Sequence, residues 1–130
     1  MAANGPFPLA GGWGLTADAL FDFDQAELRP NAVQTLTSVG PLLQERGQHP
    51  VTVEGHTDAK GSEDYNRALS QQRAASVRNW LVAAGYVRSA AIQSYGETRP
   101  VAPNEHEDGS DNPEGRQKNR RVEILVDECS

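Results

Sequence analysis

The 130-residue chain has a single cysteine, Cys129, the last residue but one. No intrachain disulfide is possible, so cysteine usage marks no compartment. Long apolar runs are missing too: no stretch approaches the roughly 18 apolar residues that cross a bilayer as a helix. There is no basic excess. Twelve Lys and Arg stand against eighteen Asp and Glu, a formal net charge of -6 with a pI near 5.0. Proteins that hold a phosphate backbone show the opposite balance, so no nucleic-acid partner is expected. The one basic cluster, Arg116, Lys118, Arg120 and Arg121, lies beside an acidic segment and reads as local pairing. The opening MAANGPFPLAGGWG has neither a basic n-region nor a continuous apolar h-region, and is not a signal peptide. The sequence holds no internal repeat, no G-x-S-x-G elbow, no P-loop and no dinucleotide fingerprint.

What is present is an ordinary globular composition, 37% hydrophobic and 23% charged, with a mean hydropathy of -0.62. That is enough for one domain with its own core. Residues 1–15, rich in Gly, Pro and Ala, read as a flexible leader, and the domain is expected over 16–128. Ala19 to Phe23 alternates like a short strand. Pro30 suits a first helical turn, and Val33, Leu36, Val39 and Leu43 continue at helical spacing to about Gln48. Pro41 inside that pattern is expected to kink or break the helix near Thr37.

VTVEGHT then reads as a strand, and Ser62 as the N-cap of a long helix that carries Tyr65, Leu69, Val77, Trp80 and Leu81 and stops at Gly85. Ala91 to Tyr95 and the alternation Val122, Ile124, Val126 give two further strands. Between them, Asn112-Pro113-Glu114 is the cap and first turn of a short helix. The order β-α-β-α-β, a long connection and a last β predicts an α/β two-layer sandwich, with a mixed sheet and helices on one face. So long a connection, from Pro100 to Asn119, marks a functional or flexible loop.

The stretch from Gly55 to Val77 carries the most chemistry. Asp58 stands where a strand ends, and Arg73 lies inside the following helix. A carboxylate facing a guanidinium across a cleft receives a zwitterion, the acid taking an ammonium and the planar fork a carboxylate. Asn66, Ser70, Arg73 and Val77 share one helix face. Spacing alone equally allows a surface arginine in an ion pair and an aspartate that merely favours a turn.

Four ordered strings, FDFDQAELRP, VTVEGHTDAKGSEDYNRALSQQRAASVRNWLVAAGY, IQSYGETRPVAPN and NRRVEI, closely resemble the C-terminal domain family of outer membrane protein A. That family includes the peptidoglycan-associated lipoprotein and the flagellar motor protein MotB. The resemblance covers Leu15 to Asp127. It implies the same sandwich and non-covalent binding of peptidoglycan, gripped at the diaminopimelate of the stem peptide. The implied roles are Asp58 on the ammonium and Arg73 on the carboxylate, with Thr57, Asn66, Leu69, Asp24 and Arg120 around the pocket. It further implies an envelope location, most simply periplasmic, with the export signal or membrane anchor supplied by a parent protein. No cofactor and no catalytic residue are expected. Oligomeric state is left open.

The chain departs from the family in lacking the cysteine pair that some members carry before NRRVEI. Its loop instead holds Glu105, Glu107, Asp108, Asp111 and Glu114, without EF-hand spacing. Two rival readings stand beside wall binding. One is a metal-dependent hydrolase built on His56 and Asp58, with His49 or His106, although no third ligand has recognisable spacing. The other is a protein–protein module on the same fold, with Trp13 and Trp80 as candidate partner contacts.

Overall fold

A computed structural model describes residues 6–46 and 49–127. Nine elements follow in chain order: β1 (Phe7–Leu9), β2 (Gly12–Thr16), α1 (Ala17–Leu20), α2 (Ala32–Glu45), β3 (Val51–His56), α3 (Glu63–Ala83), β4 (Ala91–Gly96), α4 (Pro113–Asn119) and β5 (Arg121–Val126). The strands form one sheet in the order β1-β2-β5-β3-β4. The β3/β4 pair is parallel, joined through α3, and every other pair is antiparallel. This is the mixed α/β sandwich that the element order predicts.

Register explains the single core. Val51, Val53 and Gly55 of β3 stand opposite Val126, Ile124 and Val122 of β5, and Leu15 of β2 opposite Val122. A period of two then sends all of these side chains to one face. There they meet Leu36, Val39 and Leu43 of α2 and Ala74, Val77 and Leu81 of α3, all at most 2% exposed. Each fully buried Val or Leu contributes about 1.5–3 kcal/mol against leaving it in water, so this face sets the fold. Arg121, Glu123, Glu54 and His56 occupy the opposite face.

Three expectations give way. Residues 7–16, read as leader, form a β-hairpin instead, and β2 lies against β5. The glycines that suggest a linker here permit close approach: a Cβ on Gly14 would sit 2.1 Å from the Phe7 ring. Trp13 packs against the core, whereas Cys129 lies outside the described residues.

Ala19 to Phe23 is not a strand. Ala17–Leu20 is one helical turn, with Ala17 and Leu20 buried and Phe23 89% exposed. Five alternating residues cannot separate a strand from a turn of helix, and β2 holds the place beside β5. Nor does Pro41 end α2, which runs through it from Ala32 to Glu45. The lost hydrogen bond is offset by Leu36, Val39 and Leu43 anchoring both halves to the sheet. Gln48, the expected limit of that helix, lies outside the described residues.

The helix ends of α3 follow the sequence signals. The Ser62 hydroxyl accepts from the Tyr65 amide at 3.1 Å. At the other end Gly85 takes φ +83°, its N–H donates to Val82 O, and Tyr86 N–H donates to Leu81 O. These two bonds are a Schellman closure.

Candidate functional site

Two elements aim the site. The backbone of β3 continues past His56, Thr57 N–H donating to Gly96 O at 2.8 Å, so Asp58 emerges from the sheet with its direction fixed. Helix α3 crosses β3 at Gly55, where an added Cβ would lie 2.1 Å from Ser70 O. Only a residue without a side chain lets the helix backbone come so near. One turn beyond Ser70, Arg73 therefore reaches the cleft beside the strand end.

That cleft has a volume of about 450 Å³. All seven residues singled out in the sequence line it: Asp24, Thr57, Asp58, Asn66, Leu69, Arg73 and Arg120. Phe23, Lys60, Gly61, Tyr65 and Arg116 line it as well. Tyr65, expected on the long helix at helical spacing with Leu69 and Val77, stands 46% exposed at the mouth. The Asp24 carboxylate beside it holds the phenol proton and raises the Tyr65 pKa. Asp24 itself adopts φ +60°, an uncommon backbone for a residue with a side chain.

The acidic wall is built around a buried carboxylate. Asp58 is 7% exposed. Its Oδ1 accepts from the Lys60 amide at 3.0 Å, and its Oδ2 accepts from Arg120 Nη1 at 2.7 Å and Arg116 Nη1 at 3.3 Å. Each arginine also has a carboxylate of its own. Arg120 makes two bonds to Asp18, at 3.0 and 2.9 Å, and Arg116 makes two to Asp111, at 2.7 and 2.8 Å. The hydrogen bonds it donates to Asp18, and then to Asp58, hold the Arg120 guanidinium well above its ordinary pKa. The Arg116 pKa is raised chiefly by Asp111. Arg120 and Arg116 thus share Asp58 while each keeps a carboxylate of its own, and Lys60 lines the same wall.

The basic wall is the reverse. Arg73 is 5% exposed. Its Nε donates to Gln25 O at 2.8 Å and Nη2 to Asp22 O at 3.3 Å, and its guanidinium carbon lies 5.0 Å from the Phe21 ring centroid. Among the described residues no carboxylate forms an ion pair with it. Burial pushes its pKa down, and the more distant charges of Asp18 and Asp24 offset that only in part. Between the walls, Asn66 Nδ2 donates to Lys60 O at 2.8 Å and tightens the Asp58 turn against α3, while Leu69 supplies an apolar floor.

His56 does not join Asp58. It belongs to the far face of the sheet, 2% exposed, stacked on Tyr95 at 5.2 Å, with Nε2 at 3.3 Å from Glu54 Oε1. Glu54, His56 and Glu123 bring potential ligand atoms within 4.8 Å of one another. Arg121 Nε already binds Glu123 Oε2 at 2.6 Å, however, so a guanidinium serves as the cation of this cluster. The His56–Asp58 metal pair considered from the sequence is not assembled.

The residues missed by sequence reasoning are chiefly Arg116, Lys60 and Phe23. Arg116 carried a signal, its place in a basic cluster beside an acidic loop, but nothing local to it pointed to Asp58, 58 positions away. The loop is pinned by Asn119, fully buried, whose Oδ1 accepts from the Val101 and Ala102 amides at 2.7 and 3.0 Å.

Comparison with known proteins follows the same lines. A model of the OmpA family matches residues 20–120. The chain is 44% identical over 113 residues to the photosystem I P700 chlorophyll a apoprotein A2 of Gloeobacter violaceus, covering 86% of this chain and 13% of that protein. It is 42% identical over 83 residues to the peptidoglycan-associated lipoprotein of Brucella melitensis, covering 63% of this chain and 49% of that protein. Among solved structures, the cell wall anchor of the type VI secretion system from Pseudomonas aeruginosa superposes with a TM-score of 0.70 at 31% identity, covering 93% of this chain and 85% of that one. The chain spans less than two thirds of the length of these curated relatives.

Proposed function

The chain belongs to the OmpA family, and from that premise we propose that its cleft binds peptidoglycan non-covalently and ties a parent envelope protein to the cell wall. Peptidoglycan lies outside the cytoplasmic membrane, which places the working module in the envelope. The proposed wall-binding unit extends from the β1–β2 hairpin to Asp127.

The ligand we assign is the zwitterionic end of diaminopimelate in the stem peptide, with its ammonium at Asp58 and its carboxylate at Arg73. The observation that carries this reading is the pair of facing groups: a nearly buried Asp58 carboxylate on one wall, and on the other a nearly buried Arg73 that forms no ion pair among the described residues. A zwitterion cancels both at once. Lysine at the same stem position lacks the terminal carboxylate and would leave Arg73 unpaired in a desolvated site, which is costly. Nothing in this reading calls for bond cleavage. The module holds its ligand, as the names of the wall-anchoring relatives suggest.

The test is calorimetry with purified muropeptides, one set containing diaminopimelate and the other lysine. The diaminopimelate set is expected to bind more tightly, and equal affinities would overturn the assigned ligand. Asp58→Ala and Arg73→Ala are each expected to abolish co-sedimentation with purified wall while the far-ultraviolet circular dichroism is kept. Undiminished sedimentation of both variants would remove the cleft from the reading.

A further inference from the structure

If Asp58 receives an ammonium, something already stands in its way. Asp58 Oδ2 accepts from two guanidiniums, and Oδ1 accepts from the Lys60 amide. The two arginines are not equivalent. Arg120 holds Asp58 at 2.7 Å, whereas Arg116 reaches it at 3.3 Å with one nitrogen, its other two being fixed on Asp111 at 2.7 and 2.8 Å. A carboxylate has about four acceptor positions and three are taken here, so an ammonium that bonds both oxygens must displace one of them. The weakest contact is the one an incoming ammonium would displace.

We propose that Arg116 is an internal competitor for Asp58, a latch whose grip is set by Asp111, so that the Asp111–Arg116 pair tunes how strongly the cleft takes an ammonium. This rests on the wall-binding reading above. Ligand entry moves Arg116 Nη1 off Asp58 without stranding the guanidinium, because its two-point pairing with Asp111 survives. Asp111 sits in the connection before α4, and Arg116 within α4. The acidic loop thereby acquires a role at the site: it supplies the counter-anchor that keeps the competitor weak.

A double-mutant cycle tests this with free meso-diaminopimelate and a diaminopimelate muropeptide as probes. R116Q is expected to bind roughly five-fold tighter than wild type, about what loss of one weak charge-assisted contact returns. D111N should bind several-fold more weakly, because Arg116 then turns wholly to Asp58. D111N should have no effect in the R116Q background. Equal D111N effects in both backgrounds would mean a simple field effect and overturn the latch. Weaker binding by R116Q would make Arg116 a ligand contact and overturn it as well.

A second readout needs no ligand and does not depend on R116Q folding. In free D111N, nitrogen NMR of the Arg116 side chain should show a guanidinium still restricted in rotation, and D58N on top of D111N should release it. Free rotation in D111N would overturn the proposal. Absence of probe binding by the wild type would count against the wall-binding reading alone, since the NMR result decides the Asp58–Arg116 contact independently.

Discussion

Arg73 shows what folding can do to one side chain. Its backbone partners Gln25 O and Asp22 O hold the fork in position, and the Phe21 ring covers one face, yet among the described residues no carboxylate forms an ion pair with it. Arg73→Lys keeps the charge and loses the planar fork. Calorimetry should show diaminopimelate affinity falling roughly ten- to a hundred-fold, the loss of a charge-assisted hydrogen bond with fixed geometry. His56 gives a different prediction, about pH. Burial, then Arg121, lowers its pKa from 6.5 to about 4. In the window between these values the unfolded chain binds a proton that the folded chain refuses. The stability from this group is therefore complete above about pH 6.5 and lost as pH falls toward 4, by about 3 kcal/mol at most. Glu54 acts in the opposite sense, its carboxyl raised by burial and then by Glu123. Urea midpoints of wild type and His56→Gln, compared from pH 7 to 4.5, should converge as the pH falls. Parallel profiles would remove His56 as the cause.

At the scale of elements, the site depends on how closely α3 lies on β3. Gly55→Ala would drive a methyl into Ser70 O, a backbone atom that cannot swing aside. Urea unfolding should show a loss of about 2–3 kcal/mol, and affinity should fall as well because Arg73 moves with the helix. Gly85→Ala makes the contrasting control. Its φ of +83° closes α3 away from the cleft, so about 1 kcal/mol of stability should be lost with ligand affinity unchanged. Equal effects of the two substitutions on affinity would show that helix placement is not what sets the site. The same elements show how far local signals reach. The Ser62 cap, the Gly85 stop and the Asn112-Pro113 start each depend on neighbours within a few residues, so they were legible. The fate of Pro41 depended on packing at both ends of α2, and was not.

For the whole molecule, the hairpin at residues 7–16 decides whether the sheet is complete. Removing residues 1–16 would take Trp13 and Leu15 from the core and bare the edge of β5. That truncation should aggregate or lose cooperative unfolding by light scattering and urea titration. Removal of residues 1–10 takes away β1, keeps β2 beside β5 and should leave a cooperative transition at a lower midpoint. If both truncations unfold like the full chain, the hairpin is the dispensable leader its composition suggests. The sequence by itself determined the alternations of β3 and β5, the long amphipathic α3, its caps, and the family motifs carrying Asp58 and Arg73. Those features arise from contacts a few residues apart or from strings of residues in order. Only the tertiary structure decided that a Gly-rich opening becomes strand and that Asp18 meets Arg120 across 102 positions. It alone left Asp58 shared between two arginines, and Arg73 without an ion pair among the described residues. Such pairings belong to surfaces that exist only once the sheet has closed over its core, and no spacing along the chain encodes them.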